Sequence, residues 1–181
     1  MKVLIFSTGS LGDLLPFVGL GRELRDRGHQ VTLFGNGYYG QFAEQVGVDF
    51  QPLYSADEYR NLIQRDWSGL KGVKLWTGHV LETVLPVERL VRDHAARGET
   101  VVIALGWMLG ARIARELLDI KLVTVHMQPE PLGTLLLGRG WVHDVRRAVR
   151  RFAYGAMSDA VLARKLNTLR RELGLSPVRR V

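Results

Sequence analysis

The sequence predicts an α/β fold in which a parallel sheet is flanked by helices. Continuous apolar runs of strand length stand at residues 3–6 and 101–104, and such runs are typical of strands buried on both faces of a parallel sheet. Segments with helical apolar periodicity separate these runs, and glycines mark many of the junctions. With 181 residues, of which 46% are hydrophobic, the chain is long enough to bury a substantial core.

The opening strand, glycine loop and helix carry the clearest signals. Gly9 and Gly12 bracket a tight loop after the first strand, and Asp13 stands just before an apolar stretch of helical period. The pattern predicts a helix with Asp13 at its N-cap, Pro16 in its first turn and Gly28 just beyond its end. The loop would then lie at the carboxyl end of the first strand, where open α/β sheets place ligands.

This glycine loop departs from two common phosphate-binding patterns. A P-loop needs Lys followed by Ser or Thr after its last glycine, whereas Asp13 and Leu14 follow Gly12. A dinucleotide loop needs G-x-G-x-x-G and an acidic residue at the end of the second strand, whereas that strand ends in Gly35-Asn36-Gly37. The first departure disfavours a P-loop, and the second disfavours an NAD(P)-dependent oxidoreductase, which stays as an alternative. What remains is a helix N-terminus suited to anions with one carboxylate beside it.

Asp13 has two interpretations that its position alone leaves open. Aspartate is a preferred helix cap, so the carboxylate can serve only to accept backbone N–H groups of the first turn. A carboxylate at the ligand edge of a sheet can also accept a proton from a hydroxyl group or orient a base.

The remaining elements continue the alternation of helices and strands. We expect a helix and a mobile excursion over residues 55–78, then a long helix over 79–97 that Pro86 kinks, with His79 near its start. Neither His79 nor Trp76 needs a functional role to explain its position. His79 can be a capping or surface residue, and Trp76 can be a packing residue. The other predicted elements are helices over 38–45 and 107–118 and strands over 48–54, 101–104 and 122–125.

The C-terminal quarter of the chain is strongly basic. Residues 139–181 hold 11 of the 25 basic residues and 3 of the 18 acidic ones. We predict an amphipathic helix over 141–156 and a last helix over 157–173. The arginine-rich face within 139–156 is either a solvated surface or a peripheral contact with anionic membrane headgroups.

Composition narrows the class of protein. We predict one domain over residues 1–181, with a sheet core and its loops in 1–138 and basic helices in 139–181. The chain has no cysteine, so disulfides and thiolate metal ligands are excluded. The short apolar run after Lys2 does not fit a signal peptide, and the uncharged apolar stretch over residues 100–111 is too short to span a bilayer, which favours a cytoplasmic protein. The basic stretch lacks interleaved aromatics and a zinc or helix-turn-helix signature, which disfavours nucleic-acid binding.

One longer motif resembles a known family. Residues 8–16 read Thr-Gly-Ser-Leu-Gly-Asp-Leu-Leu-Pro, a helical segment follows, and residues 27–31 read Arg-Gly-His-Gln-Val. This arrangement resembles the N-terminal signature of GT-B glycosyltransferases, in the branch of sterol glucosyltransferases, antibiotic glycosyltransferases and rhamnosyltransferases. The resemblance extends to Asn167-x-x-Arg170-x-x-Leu173-Gly174-Leu175. It implies a Rossmann-like domain that forms one half of a GT-B architecture.

The resemblance implies an inverting transfer of a hexose from a nucleotide-sugar to a hydroxyl of a lipid, sterol or natural product. Asp13 falls at the family's catalytic cleft, where many relatives carry a His as general base. Gly9, Ser10 and Gly12 would lie on the side of the cleft that faces the donor diphosphate. A pocket for the hydrophobic acceptor is expected from Trp76, His79, Trp107, His126, Met127 and Gln128. For His126 and Gln128, the alternative is that they satisfy backbone groups where the chain turns.

A complete enzyme of this kind needs a second half. In the family, the C-terminal domain binds the nucleotide-sugar through its own glycine-rich, His-containing stretch, and no such stretch follows residue 140 here. We therefore expect a C-terminal donor-binding domain or subunit as partner, and no sugar transfer by this chain alone. No cofactor beyond the nucleotide-sugar and no metal are expected, since the sequence has no Asp-x-Asp pair. A non-catalytic binding module of the same fold is the other alternative.

Overall fold

A five-stranded, wholly parallel sheet forms the centre of the fold in the computed structural model, which describes residues 1–127 and 162–179. Its strand order is β3-β2-β1-β4-β5. The predicted parallel α/β fold is thereby confirmed. The strands are β1 (Lys2–Phe6), β2 (Gln30–Asn36), β3 (Asp49–Tyr54), β4 (Thr100–Leu105) and β5 (Lys121–Val125).

Helices connect successive strands, as right-handed crossovers in a parallel sheet require. A short 3-10 turn at Gly37–Tyr39 lies between β2 and the next helix, and residues 162–172 form a further helix near the end of the chain. The other helices are α1 (Leu11–Asp26), α2 (Gln41–Glu44), α3 (Ala56–Ile63), α4 (Gly69–Glu82), α5 (Val84–His94) and α6 (Leu109–Leu118).

The core is built around β1, the central strand. Residues 3–6 are all buried, because β1 pairs with β2 on one side and β4 on the other and helices cover it. Phe6 and Phe34 stack across the β1–β2 pair, with ring centroids 4.6 Å apart and ring planes 6° apart. Burying a side chain of this size stabilises a fold by about 1.5–3 kcal/mol. The apolar stripe of α1 supplies Leu14 and Phe17 to the same core.

The start of α1 differs from the prediction. Helix α1 begins at Leu11 with Ser10 as its N-cap, so Asp13 is the third helical residue rather than the N-cap. Pro16 consequently lies inside the helix rather than in its first turn. Because proline has no N–H, the Gly12 carbonyl lacks its usual helical donor. The predicted end is confirmed, because Gly28 follows the helix with a positive φ of 85°.

The region from residue 55 to residue 97 also differs from the prediction. The expected excursion is largely helical, since α3 is followed by α4, which runs on to Glu82. The predicted single helix over 79–97 is instead divided between two helices. Helix α4 ends at Glu82, Thr83 separates the two, and α5 begins at Val84. Pro86 therefore lies in a first turn, where its missing N–H costs nothing, and it does not kink a helix. His79 lies near the end of α4 rather than near the start of a helix.

The described residues fall into two compact units. The first comprises Met1–Asp66 and Glu82–Met127, and it contains the whole sheet. The second comprises Trp67–Leu81 together with residues 162–179 of the described chain. The predicted division at residues 138 and 139 and the predicted helix over 141–156 lie outside the described residues.

The second unit contains the C-terminal motif noted in the sequence. The Asn167 side chain donates to the Val178 carbonyl at 2.9 Å and accepts the Val178 N–H at 2.8 Å. Arg170, which is buried, donates through Nε to the Ser176 carbonyl at 2.7 Å. Gly174, where the last helix was predicted to end, has a φ of 72°. These side chains fix the segment that follows the helix over 162–172.

Candidate functional site

The candidate site lies in the first unit, at the carboxyl ends of the parallel strands. The loop from Ser7 to Ser10 follows β1, and α1 begins immediately after it. The end of β2 supplies Asn36, the end of β3 supplies Tyr54, and Trp107 follows β4. Since all strands point the same way, these residues come to one edge of the sheet although they are far apart in sequence.

The Asp13 carboxylate is anchored to the residue that caps α1. Asp13 Oδ2 accepts the Ser10 backbone N–H at 2.8 Å and the Ser10 hydroxyl at 2.9 Å. Asp13 Oδ1 takes part in no hydrogen bond within residues 1–127 and 162–179. An acidic group in the first turn of a helix stabilises it by about 0.3–1 kcal/mol through the helix dipole. Asp13 therefore does cap the helix, but from the third helical position and through Oδ2 alone.

Gly9 brings the backbone against this carboxylate. Its φ is 111°, and a Cβ added there would lie 2.5 Å from Asp13 Oδ2. The Gly9 N–H donates to the Tyr54 hydroxyl at 3.4 Å, and the Gly9 carbonyl accepts from Asn36 Nδ2 at 3.3 Å. Only glycine combines this backbone conformation with such a close approach. The loop is therefore held by residues at the ends of two other strands, the adjacent β2 and the more distant β3.

The pKa of Tyr54 is raised by its surroundings beside this loop. Burial raises the pKa of the Tyr54 hydroxyl to about 12, and the negative charge of Asp13 acts in the same direction. The Gly9 N–H, which donates to the oxygen, partly offsets the rise in pKa. Tyr54 is therefore a neutral phenol at any physiological pH.

The backbone N–H groups of the loop are mostly occupied. The Ser10 N–H is bound by Asp13, while the N–H groups of Asp13 and Leu14 donate to the Ser10 carbonyl at 3.0 and 3.2 Å. Within the part of the chain that the structure describes, this leaves Leu11 and Gly12 as the residues of the first turn whose N–H groups have no acceptor. Of the three residues predicted on the donor side, Gly12 thus offers a free N–H, whereas those of Gly9 and Ser10 are already used.

Trp107 connects the end of β4 to the loop after β1. Its indole Nε1 donates to Thr8 Oγ1 at 3.4 Å, and Thr8 is buried. The indole ring is partly exposed and packs against the core cluster. Trp107 therefore shares the strand edge with Asp13, as an acceptor-binding residue would have to.

His126 and Met127 follow β5 at the same edge. A Cβ added to Gly106 would lie 2.6 Å from His126 Cε1 and 2.7 Å from Nδ1, so the imidazole rests directly on the Gly106 backbone. His126 is exposed, whereas Met127 is partly buried against the core. The His126 ring is thus presented at the edge by a glycine that gives it room.

The other predicted acceptor residues are not in this part of the structure. Trp76 and His79 lie on α4, in the second unit, where Trp76 is 37% exposed and His79 is partly buried. Gln128 lies outside the described residues. Their role in acceptor binding remains a prediction.

Asn36 and Tyr54 belong to the site, although no local sequence motif indicated them. Both end a strand, and a polar side chain at the carboxyl end of a buried strand is a signal that could have drawn attention to them. What the sequence did not contain was the order of the strands, which places both beside Gly9.

Metal centres and membrane-spanning helices are two other features for which the described residues can be assessed. Residues 1–127 and 162–179 contain no group of three or more His, Asp or Glu side chains arranged to hold a metal ion. The helices of those same residues include none with the length and apolar character needed to cross a bilayer.

The chain shares sequence with known glycosyltransferases. It is 34% identical over 53 residues to a sterol 3-beta-glucosyltransferase of Arabidopsis thaliana, which covers 29% of this chain and 8% of that protein. It is 39% identical over 51 residues to the O-mycaminosyltylonolide 6-deoxyallosyltransferase of Streptomyces fradiae, which covers 28% of this chain and 12% of that protein. The matches therefore span only a small part of these relatives. No family model matches the chain.

The structural comparison extends the likeness to the whole fold. The structure of the glycotransferase of kitacinnamycin superposes with a TM-score of 0.64 at 16% sequence identity, over 96% of this chain and 40% of that one. The chain has the fold of one half of a GT-B glycosyltransferase. The predicted resemblance, including its consistency with an N-terminal domain, is thereby confirmed. Since the chain spans about 40% of this GT-B structure, the activity of a whole enzyme is a matter for proposal.

Proposed function

We propose that this GT-B chain is the acceptor-side half of an inverting glycosyltransferase, which moves a hexose from a nucleotide-sugar to a hydroxyl of a hydrophobic acceptor. The observation that carries the proposal is the Asp13 carboxylate at the ligand edge of the central strand, with Oδ2 held by Ser10 and Oδ1 without a hydrogen-bond partner among the described residues. A carboxylate that is oriented through one oxygen can use the other to accept a proton.

The proposed reaction is a direct displacement at the anomeric carbon. The acceptor hydroxyl oxygen forms the new bond to that carbon while the bond to the nucleoside diphosphate breaks, and the leaving diphosphate takes the bonding electron pair. The proton of the hydroxyl passes to Asp13 Oδ1. Attack from the face opposite the leaving group inverts the anomeric configuration. General-base assistance of this kind contributes about 10²–10⁴ in rate.

Binding of the two substrates follows from the rest of the strand edge. The N–H groups of Leu11 and Gly12 lie at the positive end of α1 and are the ones available to an anionic diphosphate. Trp107 and Met127 offer apolar surface at the same strand edge, which suits a hydrophobic acceptor such as the sterol named in one relative. Trp76, His79, His126 and Gln128 are proposed as further acceptor contacts.

The experiment joins this chain to a donor-binding domain, since the proposal assigns the nucleotide-sugar mainly to that second half. The Streptomyces fradiae glycosyltransferase that this chain matches in part is used as the source of the second half. Transfer from UDP- and TDP-sugars to sterols and macrolide aglycones is followed by mass spectrometry of the glycosylated product. We expect transfer by the joined protein and none by the 181-residue chain alone. Joined proteins that bind nucleotide-sugar but glycosylate no acceptor would contradict the proposal.

A non-catalytic binding module is the second candidate, and one observation favours it. The two hydrogen bonds between Ser10 and Asp13 are what a purely structural helix cap would also form. The two candidates differ in what the carboxyl group must do. A cap needs only an acceptor oxygen, whereas a base needs a group that takes up a proton.

A further inference from the structure

The two ends of one peptide group in the loop have different partners. The carbonyl of the Gly9–Ser10 peptide accepts a hydrogen bond from Asn36 Nδ2 at 3.3 Å. The N–H of the same peptide donates to Asp13 Oδ2 at 2.8 Å. The peptide is planar and trans, so its C=O and N–H point in opposite directions. Asn36 and Asp13 therefore lie on opposite sides of a single rigid group, and turning that group would break both contacts.

Asn36 is suited to this place by its chemistry and its burial. Its Oδ1 accepts the Tyr38 N–H at 2.9 Å while its Nδ2 donates to Gly9. The backbone N–H can only donate and the carbonyl can only accept, so the orientation of the amide is fixed by its partners. Asn36 is 1% exposed, so water cannot replace either contact. Asparagine supplies one donor and one acceptor on a side chain short enough to reach both groups.

We infer that Asn36 is a positioning residue for Asp13, acting through the Gly9–Ser10 peptide. This inference rests on the proposed function, because it gives a reason to hold the Asp13 carboxylate in one orientation. The hydrogen bond from Asn36 polarises the peptide, which strengthens donation by the Ser10 N–H. The end of β2 thereby fixes the carboxylate that follows β1, across 27 residues of sequence between Asn36 and Gly9.

Two substitutions at Asn36 separate this role from helix capping. Asn36→Asp keeps an oxygen for the Tyr38 N–H but replaces the donor to Gly9 with a second acceptor. Asn36→Ala removes both contacts without adding a charge, and it serves if the buried carboxylate of the first variant prevents folding. Tyr59→Phe is the control, because it removes a buried hydroxyl that pairs with Tyr39 at 3.1 Å and does not contact the loop.

The measurement is hydrogen exchange of the Ser10 amide in the 181-residue chain, relative to an amide of β1, followed by NMR. We expect exchange to become faster by up to about tenfold in the folded Asn36 variants, the size expected for one weakened hydrogen bond. The Tyr59→Phe variant should leave Ser10 exchange unchanged. Unchanged Ser10 exchange in a folded Asn36 variant, or an equal increase in Tyr59→Phe, would overturn the inference.

A second readout distinguishes this inference from the proposed function. In the protein joined to a donor-binding domain, the Asn36 variants should lower kcat and leave the KM for the acceptor unchanged, because Asn36 does not touch the acceptor. A wild-type joined protein without transfer, combined with faster Ser10 exchange in the variants, would refute the function and keep the positioning role. A kcat equal to wild type in a variant with faster exchange would refute the inference that this contact matters to Asp13.

Discussion

Ser10 and Asp13 are joined by two hydrogen bonds that converge on a single carboxylate oxygen. Asp13 Oδ2 lies 2.8 Å from the Ser10 backbone nitrogen and 2.9 Å from Ser10 Oγ. Both bonds are short enough to be strong, and an ionised acceptor strengthens them further. One oxygen therefore caps α1 while the other is left to accept a proton, so that capping and catalysis are compatible in one side chain.

The close approach of Gly9 to Asp13 makes Gly9 sensitive to any side chain. We expect Gly9→Ala to destabilise the fold by roughly 2–4 kcal/mol, from an unfavourable backbone angle and a clash with Oδ2. Gly28→Ala is the matched control, since Gly28 also has a positive φ, 85°, but nothing lies within 4 Å of an added Cβ. Urea unfolding of both variants measures the difference. Equal losses would show that the contact with Asp13 carries no cost.

The raised pKa of Tyr54 predicts that the fold loses stability at alkaline pH. Its folded pKa is about 12 because burial disfavours the phenolate, whereas an unfolded tyrosine has a pKa of about 10. The contribution is therefore fully present below pH 10 and lost between about pH 10 and 12, as the unfolded state gives up its proton first. Between pH 10 and 12, the free energy of unfolding should fall by about 3 kcal/mol more in wild type than in Tyr54→Phe, as measured by denaturation at several pH values. Parallel pH profiles of the variant and wild type would contradict this.

The contact between Gly106 and His126 predicts that substitutions at these two residues have coupled effects on stability. Gly106→Ala should destabilise the fold by up to about 1 kcal/mol, because an added Cβ would overlap the imidazole and make this exposed ring rotate away. In a His126→Ala background the same substitution should cost markedly less, since the overlapping ring is gone. A double-mutant cycle by thermal unfolding measures the coupling. Additive effects would mean that His126 is not held against Gly106.

The sheet could be predicted from the sequence because its signals are local. Continuous apolar runs marked β1 and β4, and Gly28 marked the end of α1. The start of α1 was harder, because Ser10 and Asp13 are both preferred caps and stand three residues apart. The reciprocal contact between them, with the acidic residue at the third helical position, is what decides the boundary. The kink predicted at Pro86 was wrong for a similar reason. Proline occurs both at kinks and in the first turn of a helix, and Pro86 lies in the first turn of α5.

The site could be predicted only in part, because its contacts depend on the order of the strands. Gly9, Ser10 and Asp13 adjoin one another in sequence and were found together. Asn36 and Tyr54 contact Gly9 from 27 and 45 residues away. No local pattern reports that β2 adjoins β1 and that β3 adjoins β2. Residues brought together by strand pairing were therefore missed, although each ends a strand.

The structure offers a matched control for the role of Asp13. Glu58 is the third residue of α3 and accepts the backbone N–H of its N-cap residue, Ser55, at 2.6 Å, as Asp13 does for Ser10. That hydrogen bond lowers the pKa of the exposed Glu58 carboxyl. Asp13→Asn and Glu58→Gln each leave an oxygen able to cap the helix but remove the ionised carboxylate. Both variants should unfold at nearly the same temperature as wild type, because the hydrogen bond to the N-cap residue is kept in each.

The most direct measurement is kcat for sugar transfer by the chain joined to a donor-binding domain, compared among wild type, Asp13→Asn and Glu58→Gln. The proposed role of Asp13 as proton acceptor predicts that Asp13→Asn lowers kcat by about 100-fold or more, while Glu58→Gln matches wild type. Transfer by a folded Asp13→Asn variant at the rate of the Glu58→Gln variant would contradict it and leave Asp13 as a helix cap alone.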